Sequence, residues 1–181
     1  MAIERSTFLE IVKDAYSAYY TLLPEEDVFP GLPLAFRAEY KVRDEQYFFV
    51  KSANIWGNEK VEYCYVFSAP RFDAALAARC IDASLEDMLP KVKPHKEHQY
   101  TNCKVILIAD SVDKDTAKTV QRKKFSRSYG PMSTHGYSEL LAAIVDVGDE
   151  KTCTNRMGRD LEAFFGKLFA LRSEDTQGNG K

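Results

Sequence analysis

The sequence predicts a single α+β domain: helices packed on a mixed, mostly antiparallel sheet, in the order α-β-β-β-α-β-α-β-β-α. Three observations predict it. Apolar residues recur at helical spacing near both ends of the chain. Aromatic and β-branched runs crowd residues 34–69. A continuous apolar run, "CKVILIA", stands in mid-chain with the length of a buried strand.

The elements follow in order. "STFLEIVKDAYSAYYTLL" sets Phe8, Ile11, Val12, Ala15, Tyr16 and Tyr19 on one helical face, with Thr7 and Glu10 spaced as a capping box. Pro24, Pro30, Gly31 and Pro33 stop it. Three strand-like runs come next, "LAFRAEYKV", "QYFFVKSANIW" and "KVEYCYVFSA". The short turns "RDE" and "GNEK" between them predict an antiparallel meander.

"SAPRFDAALAARCIDASLEDMLP" switches to helical composition, with Ser68 as cap, Phe72, Leu76, Cys80 and Ala83 or Ser84 facing inward, and Pro90 as terminator. "NCKVILIADS" is the buried strand, and a short amphipathic helix starts near Ser111 or Asp113. "FSRSYG" reads as a brief strand and "GYSELLAAIVDVGDEKTCTN" as one long strand or a hairpin. The last helix begins near Arg156, capped by Asn155, and turns Met157, Leu161, Phe164, Phe165, Leu168 and Phe169 inward. A chain of 181 residues suits one core, so we set one domain at 1–172 and a disordered tail at 173–181.

Composition narrows the function classes. Charged residues are 29% of the chain but the net charge is −2, so no overall field attracts nucleic acid or an anionic membrane. No apolar run nears the roughly 20 residues of a membrane span. Glu4, Glu10 and Asp14 do not fit a signal peptide, so a cytoplasmic location is expected. Cys64, Cys80, Cys103 and Cys153 are scattered without a CxxC pair. They read as reduced core residues, not as disulfides or a zinc site. Neither a cofactor nor a metal is called for. The aromatic content, 12%, is compatible with a homodimer surface.

Four stretches carry candidate chemistry. "KVKPHKEHQY" holds Lys93, His95, Glu97 and His98, and "STHGY" adds Ser133 and His135. Three imidazoles plus water form a known catalytic zinc arrangement. The spacing is not HExxH, however, and Pro94 disfavours a helix through this point. The plainer reading is a polar linker whose histidine bonds a backbone carbonyl. Between the two lies a histidine paired with Glu97 as general base, or with Lys93 as an anion site.

Arg122, Lys123, Lys124 and Arg127 form a basic run with Phe125 and Tyr129 interleaved, which suits phosphates and bases. A solvated helix end leading into an edge strand explains it equally well. "TNRMGRD" would place a helix N-terminus between Arg156 and Arg159, favourable for an anion. The opening order α-β-β-β-α-β also matches the core order of restriction-endonuclease-like enzymes. Their metal-binding motif is missing: the strands offer Glu45, Glu59, Glu62 and Lys60 without the acid-x-Lys pair.

"KPHKEHQY", "STHGY", "IVDV" and "TNRMG" together resemble the motif series of an uncharacterised bacterial protein family. Gln99 and Tyr137 depart from its pattern. That family has no assigned activity, and the resemblance implies only that His95, Glu97, His98, His135 and Arg156 belong to one site. The leading expectation is therefore a small anionic ligand bound by Lys93, His95, Glu97, His98, Ser133, His135 and Arg156, with no activity assigned. Three alternatives stand beside it: a metal-dependent hydrolase using His95, His98, His135 and Glu97, a structural or interaction module without a pocket, and nucleic-acid binding through residues 122–129.

Overall fold

The computed structural model describes residues 3–43 and 59–178. It contains helices α1 (Arg5–Ser17), α2 (Ala74–Met88), α3 (Lys114–Arg122) and α4 (Arg159–Gly178). The strands are β1 (Thr21–Leu22), β2 (Leu34–Arg43), β3 (Glu59–Ser68), β4 (His98–Ala109), β5 (Ser126–Ser128), β6 (Tyr137–Asp146) and β7 (Lys151–Thr154). They form one mixed sheet in the order β1-β2-β3-β4-β6-β5, with β7 also on β6. Four strand pairs are antiparallel; β3 with β4 and β4 with β6 are parallel.

The meander is corrected. β2 and β3 are direct neighbours in the sheet, from Leu34 opposite Phe67 to Arg43 opposite Glu59, so the expected pairing of each with a middle strand does not hold along this register. The middle run, "QYFFVKSANIW", falls outside the described residues. β3, β4 and β6 run parallel because α2 and α3 carry the chain back to the same sheet end before each new strand.

Both sheet faces are covered, which is why the central strands read as unbroken apolar runs. On one face Tyr65, Phe67, Val105, Leu107 and Ile144 meet Ala77, Cys80, Ile81 and Met88 of α2 and Val120 of α3. On the other, Cys64, Val66, Ile106, Ile108 and Val145 meet Phe8, Val12 and Tyr16 of α1 and Leu161, Phe165 and Phe169 of α4. The rings of Phe8 and Phe169 stack at 4.7 Å and tie the chain's two ends together.

Several helix starts differ from expectation. α1 begins at Arg5 with Glu4 at its N-cap, which leaves Thr7 and Glu10 inside the helix, since nothing in "RS" opposes helix formation. Tyr19 lies beyond the helix and is exposed. α2 is capped by Asp73, whose carboxylate accepts the Leu76 N–H at 2.6 Å, and not by Ser68. Ser68 ends β3 and its hydroxyl accepts from Arg5 Nη1 at 2.6 Å. Asp113 caps α3, accepting the N–H groups of Asp115 and Thr116. Met157 sits in a one-turn 3-10 helix ahead of α4, out of phase with the buried stripe, and is exposed. α4 runs on to Gly178, into the expected tail, because no proline or glycine interrupts residues 167–177.

Candidate functional site

β4 and β6 are parallel neighbours, so the loops that precede them meet at one sheet end. This brings "KPHKEH" against "STHGY", as the sequence suggests. The contact is made through the backbone. His98 is 3% exposed. Its Nδ1–H donates to the His135 carbonyl at 2.8 Å, and its Nε2 bonds Thr101 Oγ1 at 2.8 Å.

Two glycines permit this approach. Gly136 has φ +80°, and a Cβ there would lie 2.4 Å from both His98 Nδ1 and the His98 carbonyl oxygen. Gly130 has φ +73°, and its Cβ would strike the His135 ring at 2.4 Å. Between them Met132 and Ser133 also adopt positive φ, 52° and 61°.

His95 is half-exposed, with its ring centre 6.1 Å from that of His98. Its Nδ1 accepts from the Glu97 N–H at 3.2 Å, which leaves the proton on Nε2 to bond Glu59 Oε2 at 3.1 Å. Lys93, Glu97 and Ser133 are exposed around this end of the sheet. The three-histidine metal arrangement does not form. Both His98 nitrogens are spent on internal bonds, and no group of three His, Cys, Asp or Glu among the described residues could hold a metal ion.

Arg156 lies apart from the histidine loops. It lines a pocket of about 400 Å³ with Lys123, Lys124, Phe125, Ser126, Asn155, Met157 and Arg159. The basic run and the "TNRMGRD" turn, 30 residues apart in sequence, thus share one site.

Asn155 joins them. It is 2% exposed. Its Nδ2 donates to the carbonyls of Lys123 at 3.1 Å and Leu140 at 2.8 Å. Its Oδ1 accepts from the N–H groups of Ala142 at 3.0 Å and Gly158 at 2.9 Å. The expected helix cap is therefore also the clamp between two chain segments. Among the described residues, no carboxylate lines the pocket. Lys123 is paired with Asp82 at 2.6 Å. Lys124, Arg156 and Arg159 are exposed and have no ion-pair partner among the described residues.

A third cluster escaped the sequence reading. On the sheet face under α1, Lys104 Nζ donates to the Tyr20 hydroxyl and to Glu62 Oε2, each at 2.7 Å, while Tyr20 donates to the same carboxylate. Burial, then the charge of Glu62, pushes the Tyr20 phenol well above its ordinary range. Burial pushes the neighbouring Cys64 thiol up to about 12, against the opposing pull of Lys104. The signal was present: Glu62 and Lys104 are charges set inside the apolar runs of two central strands. An endonuclease-like role for the β3 acids meets the same geometry, since Glu59 is engaged by His95 and Glu62 by Lys104.

The molecule is thus an α+β domain with one mixed sheet, helices on both faces and a basic pocket beside the sheet's β5–β7 edge. It belongs to a family described as a domain of unknown function, DUF8052, which matches residues 4–167. No curated protein and no solved structure matches the chain. No helix among the described residues is long and apolar enough to cross a membrane.

Proposed function

We propose that the protein is a bacterial, cytoplasmic binding domain for a small anion, and that the anion is seated in the pocket of Lys124, Arg156 and Arg159 rather than between the histidine loops. One observation carries this reading: among the described residues, three cations from two chain segments that have no ion-pair partner line one cavity, and no carboxylate lines it. In a chain of net charge −2, such a concentration of positive charge is a local potential well for phosphate or carboxylate. Arginine adds paired donors that match either group. Phe125 and Met157 give the pocket an apolar wall, which suits an anion attached to a ring or short chain.

His95, Lys93, Glu97, Ser133 and His135 form the polar rim of the other sheet end, and His98 holds that end together. The four cysteines are free, consistent with a reducing compartment. The bacterial setting rests on the motif resemblance. Residues 122–129 serve nucleic acid less well, because Lys123 is tied to Asp82 and the Arg127 guanidinium lies 5.5 Å from the Tyr129 ring.

The test is calorimetric titration with inorganic phosphate and phenyl phosphate. Arg156→Ala combined with Arg159→Ala should weaken binding by about tenfold or more, since hydrogen bonds to charged groups are worth roughly 1.5–3 kcal/mol each. His95→Ala should leave it unchanged. Equal loss in His95→Ala, or none in the arginine variant, would overturn the assignment.

A further inference from the structure

A second cavity, of about 370 Å³, opens on the sheet face beneath α1 and the start of α4. Tyr16, Tyr19, Tyr20 and Phe164 wall it, and Glu62 and Lys104 form its floor. The floor is ionised but matched within itself. Lys104 and Glu62 are 12% and 15% exposed, so the pair is largely withdrawn from water.

An ammonium carries three protons. Two of those on Lys104 go to Tyr20 and Glu62, and the third has no acceptor among the described residues. The same nitrogen lies 5.2 Å from the Tyr20 ring centre and 5.9 Å from that of Tyr16. Asn102, paired in register with Glu62 on the neighbouring strand, buries an Oδ1 that has no hydrogen-bond partner. A buried polar atom without a partner is uncommon, and here it adds a second unmet polar atom to one short stretch of sheet.

We infer that this cavity is a binding site for a neutral, flat molecule with a carbonyl oxygen attached to a ring. Aromatic walls favour a flat ring through stacking and edge contacts. The free Lys104 proton calls for an acceptor oxygen. Charge disfavours an anion: a carboxylate would face Glu62 as well as Asp160, which also lines the cavity. A cation would be drawn by the same carboxylates, but it offers the Lys104 proton no acceptor. This selectivity against anions is the opposite of that of the basic pocket, so the two sites separate by ligand charge.

The probes are benzamide, benzoate and cyclohexanecarboxamide, followed by saturation-transfer and amide-shift NMR. Benzamide should bind with a millimolar constant or better and move amides of β3, β4 and α1. Benzoate and cyclohexanecarboxamide should each bind about fivefold or more weakly at this site, a difference of roughly 1 kcal/mol.

Glu62→Leu combined with Lys104→Met removes the donor without leaving an unpaired buried charge. It should weaken benzamide about tenfold. Tyr19→Ala alters only an exposed residue at the mouth and should weaken it several-fold; if the double variant fails to fold, this one decides. The assignment is overturned if benzamide does not bind, if benzoate binds there as tightly, or if folded variants bind benzamide unchanged.

Discussion

The imidazole of His98 donates from Nδ1 to the backbone carbonyl of His135, 2.8 Å away, and closes one end of the sheet. Two loops separated by 37 residues are thereby fixed to each other. The bond needs Gly136 beside it, because any side chain there would occupy the space of the ring and of the His98 carbonyl.

Gly136→Ala should therefore destabilise the fold by about 2–3 kcal/mol, combining a left-handed backbone with a steric clash. Urea denaturation measures it. A midpoint equal to that of the parent protein would mean that the loops are not clasped in this way.

Asn155 makes four hydrogen bonds from a buried side chain. Asn155→Ala leaves the Ala142 N–H and the Leu140 carbonyl without partners, at a cost of roughly 3 kcal/mol or more. Asn155→Asp keeps the acceptor but sets a second carboxylate oxygen against the two carbonyl oxygens in a buried position, so it should cost at least as much. Because the clamp also shapes the basic pocket, both variants should weaken phosphate binding even where the protein stays folded.

The thiols should sort by burial. Cys64 and Cys103 are fully buried, with burial pushing Cys64 up to about 12 and Cys103 well above its ordinary range. Burial likewise pushes Cys80 up to about 12. Cys153, partly exposed and less strongly shifted, should be the first to react with a thiol reagent at pH 8. Four thiols should react after unfolding. Rapid labelling of Cys64 in the native protein would contradict the packing.

Asp87 predicts an acid limb. Burial alone would raise its carboxyl, but the hydrogen bonds from Lys91 at 2.6 Å and Tyr65 at 2.7 Å outweigh it and hold the group below the usual carboxylate range. A depressed folded-state value means that this stabilisation is complete above the unfolded value, 3.8. It is lost as pH falls through the folded one. Thermal melts from pH 6 down to pH 2 should show a smaller acid-induced drop in Asp87→Asn than in the parent protein. Parallel curves for the two would remove Asp87 as a contributor.

Local pattern was enough for much of the fold. Spacing located α1, α2 and α4, and Asp113 and Asn155 announced their helix starts by chemistry that acts over three residues. The apolar run of β4 declared a strand buried on both sides. The motifs "STHGY" and "KPHKEH" marked two loops that do meet. These readings succeed because helix periodicity, capping and burial are written in neighbouring residues.

What failed depended on distant partners. A linker histidine bonding a backbone carbonyl was one reading of the sequence, but nothing near His98 reveals that its Nδ1 partner is a carbonyl 37 residues away, which turns an apparent metal ligand into a clasp. Glu62 and Lys104 read as isolated charges until parallel pairing sets their strands side by side. Arg156 lines one pocket with Lys124 because Asn155 joins the turn to the end of α3. Local pattern marked most of the helices and central strands and supplied the residue types available for chemistry. Which of them share a site followed from the tertiary structure, because the parallel pairing of β4 with β3 and β6 is settled by contacts across the whole chain and not by local turns.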